Sequence, residues 1–198
     1  MGDRPPRKQG AKDRNKDGDK KRRESSKAPG AVAARPHAHG WSLLMHPLLL
    51  GQIEKLTDAA DQECATFPDG RPRPTTKLLG HLLDLMFDKI PQRPGDAIYR
   101  GGKSLPDDWF RAKTGGRRYR LFYRFDSKTR LIVYAWVNDE NNLRTYDSRT
   151  DAYAVFRDMV ADGDPPEDWA GLRADAEDKT VVDRARKVAT YRRPPAQD

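Results

Sequence analysis

The chain has 198 residues, a formal net charge of +8 and a mean hydropathy of −0.96. The lone Cys64 excludes an intramolecular disulfide framework, and the longest apolar run, SLLMHPLLL at 42–50, is too short to span a bilayer. The first residues contain no apolar segment that could act as a secretory signal, so we expect a soluble, cytoplasmic protein.

Residues 1–39 differ in composition from the rest of the chain. They carry 12 Lys/Arg and 5 Asp/Glu and no aromatic residue. Such a segment has too little apolar surface to offset the entropy lost on ordering, so we predict a disordered basic tail. The tail either adds attraction to a polyanion or serves only to keep the chain soluble. We expect residues 40–172 to form one domain and residues 173–198 to form a charged extension that is partly helical or disordered.

Two helices are predicted in the first part of the domain. Apolar residues at helical spacing predict a helix over 48–64. After the turn segment 68–74, Thr75 or Thr76 can cap a second helix. Pro91 is predicted to end that second helix.

The periodicity then changes to the two-residue alternation that is typical of strands. Residues 108–114 alternate weakly, Gly115-Gly116 predicts a tight turn, and residues 117–125 alternate strongly. Residues 131–138 are apolar on both parities, as in a central strand that is covered on both sides.

After a polar loop, Asp151 is predicted to cap a helix that ends near Gly163. The order of elements predicts an α+β fold with two N-terminal helices, an antiparallel meander of three to four strands and a C-terminal helix. We expect helices to cover one face of the sheet and to leave the other face partly open.

The most strongly alternating strand places arginine on one face. Arg118, Arg120 and Arg124 share a parity, and the opposite parity is aromatic and aliphatic. If the Gly-Gly turn forms a hairpin, Arg111 and Lys113 lie beside Arg118 and Arg120. A cluster of this kind suits phosphate, because Arg offers a planar fork for bidentate contact and Lys a compact charge. The same residues could instead form a solvated strand surface that pairs with nearby carboxylates.

Common enzymatic signatures are missing from the sequence. The chain has no Gly-x-Ser-x-Gly elbow, P-loop, HExxH or CxxC, and no histidine lies in the basic region. If the protein cuts a phosphodiester, it must therefore use Arg, Lys and Tyr without a metal ion or other cofactor. A non-catalytic protein that binds RNA or sequesters an antitoxin through the same basic face is the alternative.

Several segments resemble the YhaV toxin family over about residues 40–172. They are GWSLLMHP (40–47), TTKLL (75–79), RGGKSL (100–105), GRRYRLFYRF (116–125), VNDENNLRTYDSRTDAYAVF (137–156) and GDPPEDW (163–169). The resemblance implies a RelE-superfamily ribonuclease that cleaves mRNA on the translating ribosome. It also implies neutralisation by a PrlF-like antitoxin of the AbrB class, in a hetero-oligomer that can bind operator DNA through the antitoxin.

The resemblance also implies roles for individual residues. Arg111 and Lys113 match a basic pair, and Lys113 is the better candidate for a general base because a guanidinium does not release its proton. Arg120 matches the arginine that holds the scissile phosphate, and Arg144 matches a loop arginine. Tyr153, or less closely Tyr146, matches a tyrosine that stacks on a base or exchanges a proton. We assign further RNA contacts to Arg118, Arg124, Tyr146 and Arg149, with antitoxin carboxylates as alternative partners of Arg118 and Arg124.

Overall fold

The computed structural model describes residues 34–101, 105–116, 118–143 and 150–191, which build a five-stranded sheet and its flanking helices. The strands are His37–Ala38 (β1), Trp41–Met45 (β2), Phe110–Thr114 (β3), Tyr119–Asp126 (β4) and Leu131–Val137 (β5). The helices are Pro47–Thr66 (α1), Pro74–Asp84 (α2), Ile90–Gln92 (α3), Ala152–Ala161 (α4), Trp169–Glu177 (α5) and Lys179–Thr190 (α6). The predicted α+β class is confirmed, and the arrangement is compatible with a RelE-like fold.

The three strands predicted from alternation form an antiparallel meander. β3 pairs with β4, and β4 pairs with β5, in a sheet whose order is β1-β2-β5-β4-β3. Gly115 and Gly116 make the β3–β4 turn with φ values of +54° and +66°, a conformation that residues with a Cβ rarely adopt. The predicted hairpin is therefore confirmed.

Two further strands precede the first helix, and the sequence analysis did not assign them. β2 runs parallel to β5, and β1 pairs antiparallel with the outer edge of β2. Four of the five β2 residues are buried, so this inner strand shows no polar alternation by which it could be recognised. Residues 37 and 38 therefore lie in the sheet, inside the segment whose composition predicted a tail.

The two predicted helices before the meander are present, but Pro91 does not end the second one. After α2 the chain continues through a π-helical segment, Leu85–Lys89, and then through α3. Pro91 lies in α3, near the end of this continuous helical segment, and Gln92 follows it in the helix. Helical structure thus extends to Gln92.

Helices cover both faces of the sheet. α1, α2 and α6 pack on one face, whereas α4 and α5 pack on the other, where the Phe122 and Phe156 rings stack with centroids 4.2 Å apart. The expectation of a partly open sheet face was wrong, because the apolar residues of α4 are buried against the face that carries Phe122. Within the described ranges, no helix combines the length and apolarity needed to cross a membrane.

His46 links the start of α1 to the C-terminal helices. Its ring is 2% exposed, its Nδ1 accepts a hydrogen bond from the Leu48 N–H (3.4 Å), and its Nε2 lies 3.4 Å from an Asp175 carboxylate oxygen. The Asp164 carboxylate is 3.9 Å away. Burial lowers the pKa of His46 below 6.5, although Asp175 and Asp164 oppose this shift.

His46 should make the fold sensitive to acid. Because its pKa is lower in the folded state, the unfolded chain takes up a proton first as the pH falls below about 6.5. The contribution of neutral His46 to the free energy of unfolding is thus fully present above pH 6.5. On acidification we expect the free energy of unfolding to fall by at most about 1.4 kcal/mol per pH unit because of this residue. Urea unfolding between pH 7.5 and 5 measures how steeply the free energy of unfolding changes with pH. His46→Asn keeps a capping oxygen and should flatten the slope; an unchanged slope would contradict this role.

Candidate active site

One face of the β3–β4 hairpin brings together the main predicted catalytic residues. Lys113 on β3 lies directly opposite Arg120 on β4, and Arg111 lies opposite Phe122. Residues that face each other across an antiparallel pair project to the same side of the sheet. Arg111, Lys113 and Arg120 therefore share the side that α4 partly covers.

Tyr153 reaches this face from the first turn of α4. Asp151 caps that helix by accepting a hydrogen bond from the Tyr153 N–H (3.0 Å), as the sequence analysis predicted for the cap. The Tyr153 ring meets Phe122 edge-on at 5.9 Å and is 8% exposed. Cap and ring packing together fix the direction of the phenol.

Arg111 contacts the hydroxyl of Tyr153. The Arg111 Nε donates a hydrogen bond to the Tyr153 hydroxyl oxygen (2.7 Å), and Nη1 donates to the Ile98 carbonyl oxygen (2.6 Å). Two residues that are 42 positions apart in sequence are therefore joined directly. The pair can present one phenol in a fixed position together with a cationic group.

Arg120 is more buried than its place in the alternating pattern suggested. Only 5% of the residue is exposed, and its Nη1 donates a hydrogen bond to the Tyr119 carbonyl oxygen (2.9 Å). Its guanidinium therefore does not project from an open sheet face, and the expectation of such a face was wrong here. Helix α4 covers this face, so Arg120 lies at the edge of a packed layer beside exposed Lys113.

Asn138 holds the backbone around Arg120, and the sequence analysis did not identify it. Its side chain is almost fully buried and accepts a hydrogen bond from the Arg120 N–H. The same amide donates to the Arg118 carbonyl (3.3 Å) and to the Asn142 carbonyl (2.9 Å). Asn138 thus joins the start of β4 to the segment that follows β5. The one sequence signal was a polar residue directly after a fully apolar strand.

Replacing Asn138 with Leu should destabilise the protein. The substitution keeps the side-chain volume but leaves a buried N–H and two carbonyls without their partner, which typically costs about 1–3 kcal/mol. Urea unfolding measures the loss in free energy of unfolding. Asn138→Asp retains the acceptor for the Arg120 N–H and serves as a comparison. A Leu variant as stable as the wild type would show that solvent replaces these bonds.

Arg124 on β4 and Arg118, just before that strand, lie in different surroundings. The Arg124 guanidinium sits 5.6 Å from the ring centroids of both Trp109 and Trp169, donates to the Glu167 carbonyl, and lies 3.5 Å from the Asp108 carboxylate. Burial lowers the pKa of Arg124, and the nearby carboxylates oppose this shift. Arg124 therefore joins β4 to the segment before α5. Exposed Arg118 lines a groove that opens toward α1 and α2.

Three predicted site residues, Arg144, Tyr146 and Arg149, lie outside the described residues. Of the remaining six, the structure brings Arg111, Lys113, Arg120 and Tyr153 to one side of the hairpin. In the part of the chain that the structure describes, no three His, Cys, Asp or Glu side chains converge to hold a metal ion.

Comparison with known proteins identifies the family. A family model described as a toxin with endonuclease activity, of a toxin-antitoxin system, matches residues 43–177. The chain belongs to this YhaV toxin family. The predicted family is therefore confirmed, and the match includes β3, β4 and α4, which carry the four clustered residues.

Curated relatives agree with this assignment. A protein named Toxin YhaV from Escherichia coli O6:H1 and one named Ribonuclease toxin YhaV from Escherichia coli K12 are each 38% identical to this chain over 145 residues. The matched region covers 71% of this chain and 94% of each relative. No solved structure matches the chain significantly.

Proposed function

We propose that this member of the YhaV toxin family is a metal-independent endoribonuclease that cleaves mRNA on the translating ribosome. The observation that carries the proposal is the Lys113–Arg120 cross-strand pair on the side where Arg111 contacts Tyr153. A relative named as a ribonuclease toxin supports RNA as the substrate. The dense positive charge is suited to a phosphodiester, which carries a negative charge that increases in the transition state.

In the proposed reaction the RNA supplies its own nucleophile. Lys113, in its neutral form, accepts the proton of a ribose 2′-hydroxyl, and the 2′-oxygen attacks the adjacent phosphorus. The bond from phosphorus to the 5′-oxygen breaks, and that oxygen takes up a proton. The products are a 2′,3′-cyclic phosphate and a 5′-hydroxyl end. No external oxidant, reductant or metal is needed for this balance.

Cationic side chains hold the phosphoryl oxygens in this scheme. Arg120 and Arg144 stabilise the extra charge of the pentavalent species, since donors that are fixed before reaction need no reorganisation. The role of Arg144 rests on the family resemblance alone. Arg111 fixes the Tyr153 hydroxyl, and the phenol orients the base beside the scissile bond, which favours in-line attack. Tyr146 remains the alternative to Tyr153.

The predicted site residues that have no role in the proposed reaction have weaker support as RNA contacts. Arg118 and Arg149 are proposed to contact flanking phosphates, with Arg118 also available to an antitoxin. Arg124 is left out of the proposal, because its guanidinium already lies 5.6 Å from the centroids of two indole rings and 3.5 Å from a carboxylate. Charge alone therefore does not define the RNA-binding surface.

Membership in a toxin-antitoxin family implies an antitoxin partner. We propose that this partner is a PrlF-like protein of the AbrB class, and that the complex binds operator DNA through the antitoxin. The proposed place of action is the cytoplasm, where ribosomes translate the substrate.

A reconstituted translation system tests the proposal. Purified protein is added to one defined mRNA with and without ribosomes in the same buffer, and the new RNA ends are mapped. We expect cleavage only when the mRNA is translated, with 2′,3′-cyclic phosphate and 5′-hydroxyl ends. Cleavage of naked RNA to 3′-hydroxyl ends would contradict the mechanism. RNA binding without cleavage would favour the non-catalytic alternative.

A further inference from the structure

A groove of about 830 Å³ lies between α1, α2, the β3–β4 turn and the end of β5. Its apolar lining includes Leu56, Leu78, Tyr119 and Val137, which belong to or pack against the core layer beneath α1 and α2. Arg111 and Tyr153 flank the layer on the opposite side of the sheet. The groove is therefore separate from the candidate active site.

The cations at the rim of this groove form no ion pairs within the described parts of the chain. Lys55, Lys77 and Arg118 are exposed, and none forms an ion pair with another described residue. Cations on neighbouring helical segments do pair: Lys89 of the π-helical segment with Asp84 of α2, and Arg184 of α6 with Glu54 of α1. Asp139 and Glu140 supply carboxylates at the end of the groove near β5. The rim is thus positively charged along α1 and α2 and negatively charged at its end near β5.

This combination favours a peptide over RNA as the occupant. Unpaired bases bind through rings stacked on aromatic side chains, whereas the described lining of this groove is largely aliphatic, with Tyr119 and His81 as its aromatic rings. Asp139 and Glu140 would repel a phosphate backbone along the groove. A segment with apolar side chains on one face and carboxylates beside them complements both the floor and the lysines. The volume is large enough for several side chains.

We infer that this groove binds a segment of the antitoxin that carries apolar residues flanked by Asp or Glu. The inference rests on the toxin-antitoxin membership and deepens the proposed partnership, and it does not depend on the cleavage mechanism. An occupant would contact Arg118 and Tyr119, whose backbone leads directly into Arg120. Neutralisation could then act through the β3–β4 hairpin while the Lys113 side of the sheet stays uncovered.

Charge and shape variants of the full chain test the groove. Lys55→Glu/Lys77→Glu reverses two rim charges, and Lys128→Glu/Lys179→Glu makes the same change of net charge at exposed sites outside it. Ala59→Trp adds bulk inside the groove, whereas Ala65→Trp adds it at an exposed site near the end of the same helix. The probe is the antitoxin encoded with the toxin, purified separately, and its affinity for each variant is measured by calorimetry.

We expect both groove variants to weaken antitoxin binding by about tenfold or more and both controls to change it by less than about threefold. RNA cleavage by the groove variants should equal that of the wild type, which also shows that they fold. Equal losses in groove and control variants would overturn the inference, as would unchanged affinity in all four. Lost cleavage with unchanged antitoxin affinity would identify an RNA groove instead. Because the affinities need no nuclease activity, they decide the inference even if the wild type does not cleave, and urea unfolding then shows that the variants fold.

Discussion

Replacing Lys113 with Met should lower the rate of ribosome-dependent mRNA cleavage by about 10²–10⁴, the range for losing a proton-transfer group. Met retains most of the aliphatic stem and removes the amine. Lys113 is exposed on the edge strand β3, so the variant should keep the fold and its free energy of unfolding. Cleavage rates at saturating ribosome-bound mRNA measure the effect.

Two comparisons separate proton transfer from simple charge. Lys128→Met removes an exposed lysine in the β4–β5 turn and should leave the rate unchanged. Lys113→Arg keeps a positive charge that cannot accept a proton at neutral pH, so it should be nearly as slow as Lys113→Met. Full activity of Lys113→Arg would show that the residue acts only through its charge. Wild-type activity of Lys113→Met would exclude Lys113 from the chemistry.

The hairpin that carries this pair was predictable because its determinants are local. Alternation over 117–125 sets which residues share a face, and Gly115-Gly116 marks where the chain turns back. Together these two signals place Lys113 near Arg120, and the strand register agrees with that placement. The family resemblance then suggested which members of the face to test.

Features that depend on distant parts of the chain were not predictable in this way. β2 lies inside the sheet only because β5, nearly 90 residues later, pairs with it, and its five residues contain no polar alternation. Arg120 has the sequence pattern of an exposed residue, but helix α4 packs over its face. Asn138 becomes important because β4 begins beside it, which no local pattern around Asn138 reveals.

The burial of Arg120 changes what its replacement should do to stability. Arg120→Leu removes the hydrogen bond from Nη1 to the Tyr119 carbonyl and replaces a buried cation with an apolar side chain of smaller volume. Exchanging a buried charge for apolar bulk is often neutral, whereas an unpaired acceptor is costly, so we expect a net change within about 2 kcal/mol. Urea unfolding of the purified variant measures this.

The same variant should lose much more in catalysis than in stability. Removing one preorganised donor to a developing negative charge typically lowers the rate by about 10²–10³, and Arg120→Leu should fall in this range under single-turnover conditions. Arg120→Lys restores a charge but not the planar fork that contacts two phosphoryl oxygens, so it should recover only part of the rate. Antitoxin affinity should be unchanged in both variants, because the groove lies on the other side of the sheet. A Leu variant that fails to fold would make Arg120 structural, and one that folds and cleaves at the wild-type rate would place the phosphate site elsewhere.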